Sequence, residues 1–177
     1  ECLALASEYN AKYGHEVLLG NHEQFMFHSL IHDEAWLHSL WFRNGASAIA
    51  KELKVEINPL NPAGTNYLPA LRKWCKENPD AVAIMGKLKH YIKLDNYLLI
   101  HAGVNPLHSL EDWLAQDFMH IPNNRQEENA SAVWVREPFL YHTGTWDKPI
   151  VIHGHTIEET PSPVQYKHRI GLDSGAF

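Results

Sequence analysis

The stretch Val17-Leu18-Leu19-Gly20-Asn21-His22-Glu23 decides how this chain folds. Its apolar run stops at Gly20, and an amide, an imidazole and a carboxylate then follow in succession. Strands of a parallel sheet that is covered on both faces are continuous apolar runs, and ligands bind just past the carboxyl ends of such strands. The pattern therefore predicts a buried strand that ends in an active-site loop.

Two later stretches repeat this design. Tyr97-Leu98-Leu99-Ile100 runs into His101-Ala102-Gly103, and Ile150-Val151-Ile152 runs into His153-Gly154-His155-Thr156. Imidazole nitrogens and amide oxygens are donors that hydrolytic metal sites use, and strand ends hold such donors more rigidly than loops do. The sequence thus predicts an α/β fold with a candidate metal site where these strands end.

Other patterns surround these strands. Asp95-Asn96, between two apolar runs, predicts a β-hairpin that aims His101 at the site. Residues 164–172 are predicted to form a strand beside the one that ends at His153, and residues 121–131 a polar loop. Apolar residues at helical spacing predict helices over residues 1–13, 22–31, 34–44, 46–53, 66–78 and 107–116.

Composition limits the class of protein. A chain of 177 residues with 45% hydrophobic content can bury a core, and residues 1–177 are predicted to form a single domain. The net charge of −6 argues against nucleic-acid binding, which needs a basic surface. Cys2 and Cys75 lack paired spacing, which favours reduced thiols in the cytoplasm. No apolar run approaches the roughly 20 residues that span a membrane. Nothing in the sequence indicates an oligomeric state.

The ordered motifs Gly20-Asn21-His22-Glu23, His101-Ala102-Gly103 and Gly154-His155-Thr156 resemble the calcineurin-like metallophosphoesterase superfamily. Within it, the chain is most similar to the bacterial and phage type of serine/threonine protein phosphatase. That resemblance extends to Glu1-Cys2-Leu3, to residues 36–45, to Val133-Trp134-Val135-Arg136-Glu137 and to Gly171-Leu172-Asp173-Ser174-Gly175-Ala176. It implies a layered β-sheet core of the metallophosphatase type flanked by helices, and hydrolysis of phosphate monoesters on phosphoserine, phosphothreonine or phosphotyrosine.

The resemblance also implies the cofactors. Two divalent metal ions are expected, with Mn²⁺ favoured over Fe or Zn²⁺. Asn21 and His101 would be ligands of one ion and His155 a ligand of the other. Such a metal pair, about 3.5–4 Å apart, clamps a phosphate and activates water for attack.

Two further residues receive roles from the resemblance. His22 is the candidate general acid, because it follows Asn21 directly and could protonate the leaving oxygen. Arg136 is the candidate substrate-binding residue, since its planar guanidinium matches two phosphate oxygens. Glu23, His153 and Asp173 are expected to orient neighbours. Leu19 stands where many eukaryotic relatives carry a phosphate-binding arginine, so phosphate binding is expected to depend more on Arg136.

Two family motifs are missing. Neither an Asp-x-His nor a Gly-Asp-x-x-Asp-Arg-Gly sequence occurs among the 177 residues. By resemblance these motifs supply the remaining metal ligands, the partner of His22 and a phosphate-binding arginine. The chain is therefore expected to be the C-terminal part of a longer phosphatase, without the N-terminal βαβ part of the fold, and to be inactive alone.

Two alternatives stay open. The first is a symmetrical dinucleoside polyphosphate hydrolase, although such relatives usually carry GNHD and differ from the segment around Arg136. The second is a non-catalytic binding module, which becomes the better hypothesis if the natural chain starts near Glu1. Comparing the turnover of diadenosine tetraphosphate with that of a phosphopeptide distinguishes the dinucleoside polyphosphate hydrolase from the protein phosphatase. The upstream coding sequence decides whether the chain is a binding module.

Overall fold

The fold is mixed α/β, as predicted, with helices and a five-stranded mixed sheet. The computed structural model describes residues 1–32, 35–64, 66–159 and 163–175. The chain divides into two units. The first comprises residues 1–17 and 22–88, and the second comprises residues 18–21 and 89–177.

The first unit is helical. Its first helix ends at Tyr13 and is capped by Gly14, which has φ 69° and donates its backbone N–H to the Asn10 carbonyl at 2.9 Å. The α-helices are α1 (Cys2–Tyr13), α2 (Asn21–Ile31, whose first residue belongs to the second unit), α3 (Ala35–Trp41), α4 (Ser47–Glu52), α5 (Leu68–Glu77) and α6 (Pro79–Val82). Short 3₁₀ turns occupy Pro62–Gly64 and Ala83–Lys87.

A kink separates α3 from α4. Within Phe42–Ala46, Asn44 (φ −97°, ψ 20°) and Gly45 (φ 119°, ψ −10°) depart from helical geometry. A φ of 119° is readily available only to glycine. The sequence signal Asn44-Gly45 therefore ends one helix and turns the chain into the next.

Aromatic side chains fill the interior of the first unit. Phe25 stacks on Trp41 with ring centroids 6.3 Å apart, and Trp41 meets Tyr67 edge-on at 5.8 Å. All three are at most 1% exposed. Burial raises the pKa of the Tyr67 phenol well above its ordinary value, so the ring is neutral.

The second unit is built on the sheet, whose strand order is β1-β2-β3-β5-β4. The strands are β1 (Tyr91–Leu94), β2 (Tyr97–Ile100), β3 (Ile150–His153), β4 (Val164–Gln165) and β5 (Arg169–Gly171). The β1-β2 hairpin predicted at Asp95-Asn96 is confirmed, with β1 and β2 antiparallel. The strands β2, β3 and β5 run parallel to one another, and β4 returns antiparallel to β5. The parallel pair β2-β3 is what brings two histidine-bearing strand ends to one edge.

Two predicted strands differ from the observed ones. The run Val17-Leu18-Leu19 makes one parallel bridge, between Leu18 and Lys89, rather than a strand. The run cannot pair over a greater length, because α2 begins at Asn21. Residues 164–172 form the two short strands β4 and β5, since Tyr166 donates its backbone N–H to the Arg169 carbonyl at 2.8 Å and reverses the chain.

Short helices interrupt the connections of the second unit: α7 (Leu110–Leu114), α8 (Arg125–Asn129) and α9 (Glu137–Leu140). The prediction of a polar loop over residues 121–131 is therefore wrong for α8. Asn124 caps this helix by accepting the Glu127 backbone N–H at 3.0 Å, and its amide donates to the Glu127 carboxylate at 2.8 Å. An Asn-x-x-Glu capping pair is a helix-start signal that the sequence prediction overlooked.

Candidate active site

Asn21 and His101 meet where β2 ends, in the second unit. His101 Nε2 lies 2.9 Å from Asn21 Oδ1. His101 directly follows β2, while Asn21 is held by the extended residues before it, where Leu19 donates its backbone N–H to the Lys89 carbonyl at 2.8 Å. Asn21 is 6% exposed. The predicted pairing of these two candidate ligands is therefore present in the structure.

His155 joins them from the neighbouring strand. The rings of His101 and His155 have centroids 5.0 Å apart at an interplanar angle of 60°. The parallel register pairs Leu99 with Ile152, so the residues just past the two strands lie level with each other. Gly154 accordingly donates its backbone N–H to the His101 carbonyl at 3.0 Å. All three predicted ligands thus converge.

The backbone at His155 has an uncommon conformation. His155 has φ 64°, and Thr156 donates its N–H to the Gly154 carbonyl at 2.7 Å, which closes a three-residue γ-turn. A γ-turn with positive φ at its central residue is rare and strained, and such strain concentrates at functional sites. The surrounding structure therefore holds this histidine in place against its local preference.

The geometry and chemistry of these donors fit a metal ion. The 2.9 Å between Asn21 Oδ1 and His101 Nε2 is a hydrogen-bond distance, and it is also close to the roughly 3.0 Å between two donor atoms bound at about 2.1 Å and at right angles. Amide oxygen and imidazole nitrogen suit first-row transition metals. Among the described residues, no three or more His, Cys, Asp or Glu side chains form a metal-binding group. The set of two histidines and one asparagine is therefore short of carboxylates.

Trp134 and Arg136 belong to the segment that leads into α9. The Trp134 ring packs edge-on against His155, with centroids 6.0 Å apart at 79°. Arg136 is half-buried, and burial lowers the pKa of its guanidinium while the Glu128 carboxylate opposes that shift. Within the part of the chain that the structure describes, the Arg136 side chain makes no hydrogen bond or ion pair. An arginine that is partly desolvated but not engaged by a carboxylate suits an anionic ligand.

His22 lies in the first unit, whereas the other four predicted site residues lie in the second. Its side chain is exposed, and its ring meets Phe25 edge-on with centroids 6.4 Å apart. It also lines an apolar cavity of about 360 Å³ within the first unit. A Cβ atom at Gly45 would lie 3.0 Å from His22 Cε1, so the absence of a side chain there leaves room for the imidazole.

Sequence reasoning missed several residues that support the site. Trp134 stands two positions before Arg136, and the sequence assigns a role to the arginine alone. Arg169 falls in the strand predicted over residues 164–172 and received no role from the sequence, although it is 5% exposed and contacts His153. Its signal was its place in the otherwise apolar and small strand Arg169–Gly171, where a buried cation requires partners.

The comparisons with known proteins give no family for this chain. No family model, curated protein or solved structure matches it. Among the described residues, no helix has the length and apolar character needed to cross a membrane.

Proposed function

We propose that this chain contributes to the active site of a metal-dependent phosphatase that hydrolyses phosphate monoesters on phosphoproteins. The observation that carries the proposal is the convergence of three metal-donor side chains, with Asn21 Oδ1 2.9 Å from His101 Nε2 and the His101 and His155 rings 5.0 Å apart. The resemblance of the three motifs to calcineurin-like metallophosphoesterases supports the same activity. A sheet core of the metallophosphatase type is part of the proposal.

The proposed cofactors are two divalent metal ions, Mn²⁺ by preference and Fe or Zn²⁺ as alternatives. When bound, a metal pair of this kind would lower the pKa of water to about 7, which would supply hydroxide at neutral pH. Asn21 and His101 would hold one ion and His155 the other. Because hydrolytic metal pairs of this kind also use carboxylates, the proposal requires aspartate ligands in addition to these three side chains.

Arg136 would bind the substrate phosphate. Its half-buried guanidinium has no hydrogen-bonding partner among the described residues, so its N–H groups are available to phosphate oxygens. The planar fork can donate to two oxygens of one phosphate at once. Trp134, packed on His155, connects the segment that carries Arg136 to the histidine pair.

His22 would be the general acid. It directly follows Asn21 in the chain, so a ligand and a proton donor come from consecutive residues. The imidazolium would give its proton to the ester oxygen as the P–O bond breaks, and a serine or threonine side chain would leave as a neutral alcohol. Histidine suits this role because its ordinary pKa lies close to neutral pH.

Phosphatase assays test the proposal on the protein together with any native sequence that precedes Glu1. We expect Mn²⁺-dependent release of phosphate from a phosphoserine peptide, and loss of that release in His101→Asn. The matched control is His108→Asn, an exposed histidine of the same unit, which should keep full activity. Preferential turnover of diadenosine tetraphosphate would instead indicate a dinucleoside polyphosphate hydrolase. No turnover of either substrate would reject the phosphatase and favour a binding module.

A further inference from the structure

A buried polar network lies between the candidate ligand His155 and strand β5. Arg169 Nη1 contacts the Glu158 carboxylate and also lies 3.2 Å from His153 Nε2. The Arg169 and Glu158 side chains are 6% and 8% exposed, and His153 is 2% exposed. A buried charge is costly to maintain unless it is paired and hydrogen-bonded, so the partners of this network are tightly constrained.

The chemistry of arginine fixes the proton on His153. A guanidinium can only donate hydrogen bonds, so His153 Nε2 must accept from Arg169. The neutral ring therefore carries its hydrogen on Nδ1, which lies 2.9 Å from the Gly154 carbonyl oxygen and donates to it. Phe139 packs edge-on against the same ring, with centroids 5.0 Å apart at 76°, and restricts its rotation.

The Gly154 carbonyl is also the atom that closes the turn at His155. It accepts the Thr156 N–H at 2.7 Å, while the Gly154 N–H donates to the His101 carbonyl at 3.0 Å. Gly154 is thus fixed at its nitrogen by one candidate ligand's backbone. It is fixed at its oxygen by the His153 ring. The Gly154 carbonyl belongs to the peptide group that joins Gly154 to His155, and the orientation of that group determines where the His155 side chain begins.

We propose that Glu158, Arg169 and His153 form a positioning relay that holds His155 in its strained turn. Glu158 fixes the Arg169 guanidinium, Arg169 selects the tautomer of His153, and His153 fixes the Gly154 carbonyl. The relay does not touch the metal site directly. Its role in ligation rests on the proposed function of His155 as a metal ligand, but its effect on the turn does not.

Two neighbours hold the charged end of the relay. The Tyr166 hydroxyl donates to Glu158 Oε2 at 2.9 Å, and the centroid of the Tyr166 ring lies 3.6 Å from Arg169 Cζ. A Cβ atom at Gly171 would overlap the Glu158 carboxylate, so glycine at that position leaves the space that the carboxylate occupies. The relay therefore has a defined place in the packing of β4 and β5.

Two substitutions of His153 separate its two hydrogen bonds. His153→Asn puts an amide N–H near the position of Nδ1 and keeps a donor for the Gly154 carbonyl, while it gives up the contact with Arg169. His153→Gln can keep an acceptor for Arg169 but loses the donor at Nδ1. We expect His153→Gln to raise the exchange rate of the Thr156 amide hydrogen about five- to tenfold, as the loss of one hydrogen bond does. His153→Asn should stay within about twofold of the parent.

A double-mutant cycle tests whether Arg169 acts through His153. The paired change Arg169→Met with Glu158→Gln removes the cation without leaving a buried carboxylate. When residue 153 is His, the paired change should raise the exchange rate of the Thr156 amide hydrogen about five- to tenfold. In the His153→Asn background, where the side chain has no tautomers, it should not change that rate further. The control is His168→Gln, a buried neighbour of Arg169 that bonds the Phe139 carbonyl instead. It should leave the Thr156 amide unchanged.

Nitrogen chemical shifts and metal binding complete the test. In the parent chain the ¹⁵N shifts of His153 should report a neutral ring protonated on Nδ1, and the opposite tautomer would overturn the relay. If the paired change raises the exchange rate of the Thr156 amide equally with His and with Asn at position 153, Arg169 acts only through general packing. That result would also overturn the relay. With Co²⁺ as the probe, His153→Gln should bind about 10- to 100-fold more weakly than the parent. Absence of Co²⁺ binding by the parent would reject the proposed metal function, whereas the exchange and shift measurements would still decide the relay.

Discussion

The side-chain oxygen of Asn21 lies 2.9 Å from Nε2 of His101, although the two residues are 80 positions apart in the chain. In the absence of metal the contact is a hydrogen bond, with the His101 ring donating to the amide oxygen. A metal ion would take the place of that hydrogen, because ligation requires an unprotonated nitrogen. Under the proposed function, the same two atoms would hold either each other or an ion, and binding of the ion should release a proton or move it to Nδ1.

The first prediction concerns metal content. With three donors and no carboxylate among them, this chain should bind a divalent ion weakly, and at most one ion at Asn21 and His101. Elemental analysis after dialysis should find less than one ion per chain, and Asn21→Ala should lower the affinity for added Mn²⁺ further. Two tightly held ions per chain would contradict the expectation and would mean that other side chains supply ligands.

The second prediction concerns Arg136→Ala, assayed in the protein together with any native sequence that precedes Glu1. Loss of a hydrogen bond to a charged group costs about 1.5–3 kcal/mol, which corresponds to about one to two decades in kcat/KM. Metal content should not change. Arg125→Ala is the matched control, because Arg125 is exposed and already pairs with Glu137. If the two variants lose kcat/KM on p-nitrophenyl phosphate equally, Arg136 has no specific role in phosphate binding.

The third prediction separates the role of His22 from that of the ligand histidines. A phosphoserine side chain leaves as a strongly basic alkoxide and needs a proton, whereas p-nitrophenolate leaves readily without one. His22→Asn in the active enzyme should therefore lose about 10²–10⁴-fold on a phosphoserine peptide, with a clearly smaller loss on p-nitrophenyl phosphate and with metal content intact.

The contrast with His101→Asn and His155→Asn completes this test. Both changes should lower metal content and depress the two substrates alike. An equal loss on the two substrates in His22→Asn, at full metal content, would remove the general-acid role and leave His22 as an electrostatic stabiliser of the phosphate.

The sequence predicted the features that local chemistry determines. The apolar runs of β2 and β3 identified both histidine-bearing strand ends, because a buried parallel strand must be apolar on both faces. Asp95-Asn96 identified the hairpin, and the helix from residue 22 to residue 31 was found within one residue of its observed start. Convergence of His101 and His155 followed once the ends of β2 and β3 were assumed to share an edge, whereas Asn21 reaches His101 from a run that makes only one bridge.

Features that depend on distant partners could not be predicted in this way. Nothing in a histidine side chain predicts φ 64° at His155. That conformation depends on hydrogen bonds from Gly154 to His101 and from His153 to Gly154, and these exist only once β2 and β3 have paired. The apolar run before Gly20 likewise reads as a strand, but its pairing is limited to one bridge with Lys89 because α2 begins immediately afterwards.

The fourth prediction concerns Gly103, which has φ 150° and lies against the Phe139 ring. A Cβ atom at this position would overlap the ring, and the backbone conformation disfavours any other residue. Gly103→Ala should lower the free energy of unfolding by about 2–4 kcal/mol, measured by chemical denaturation. Gly86→Ala is the control, since a Cβ there meets nothing within 4 Å, and its stability should stay within about 0.5 kcal/mol of the parent. Equal stability of the two variants would contradict the packing of Phe139 on Gly103.

The fifth prediction concerns the pH dependence of stability. His168 is 6% exposed and bonds the Phe139 carbonyl through Nε2 at 3.0 Å. Burial is the main cause that lowers its pKa below the ordinary value, and the positive charge of Arg169 adds to the shift. Burial likewise lowers the pKa of His153. Both rings are therefore neutral in the folded state at neutral pH.

The sign follows from proton uptake. As pH falls below about 6.5, the unfolded chain binds protons on these histidines before the folded chain does, so unfolding becomes more favourable. The stabilisation is fully present above about pH 6.5 and is lost as pH falls toward the lowered folded-state pKa values. Each group can contribute up to about 1.4 kcal/mol per pH unit to the slope of the free energy of unfolding within that window.

His168→Gln keeps an amide donor for the Phe139 carbonyl but does not titrate, so denaturation between pH 7 and pH 5 should give a smaller slope than the parent. His108→Gln, at an exposed position of the same unit, should retain the parent's slope. If His168→Gln retains it as well, the buried ring of His168 is not the group that makes this protein sensitive to acid.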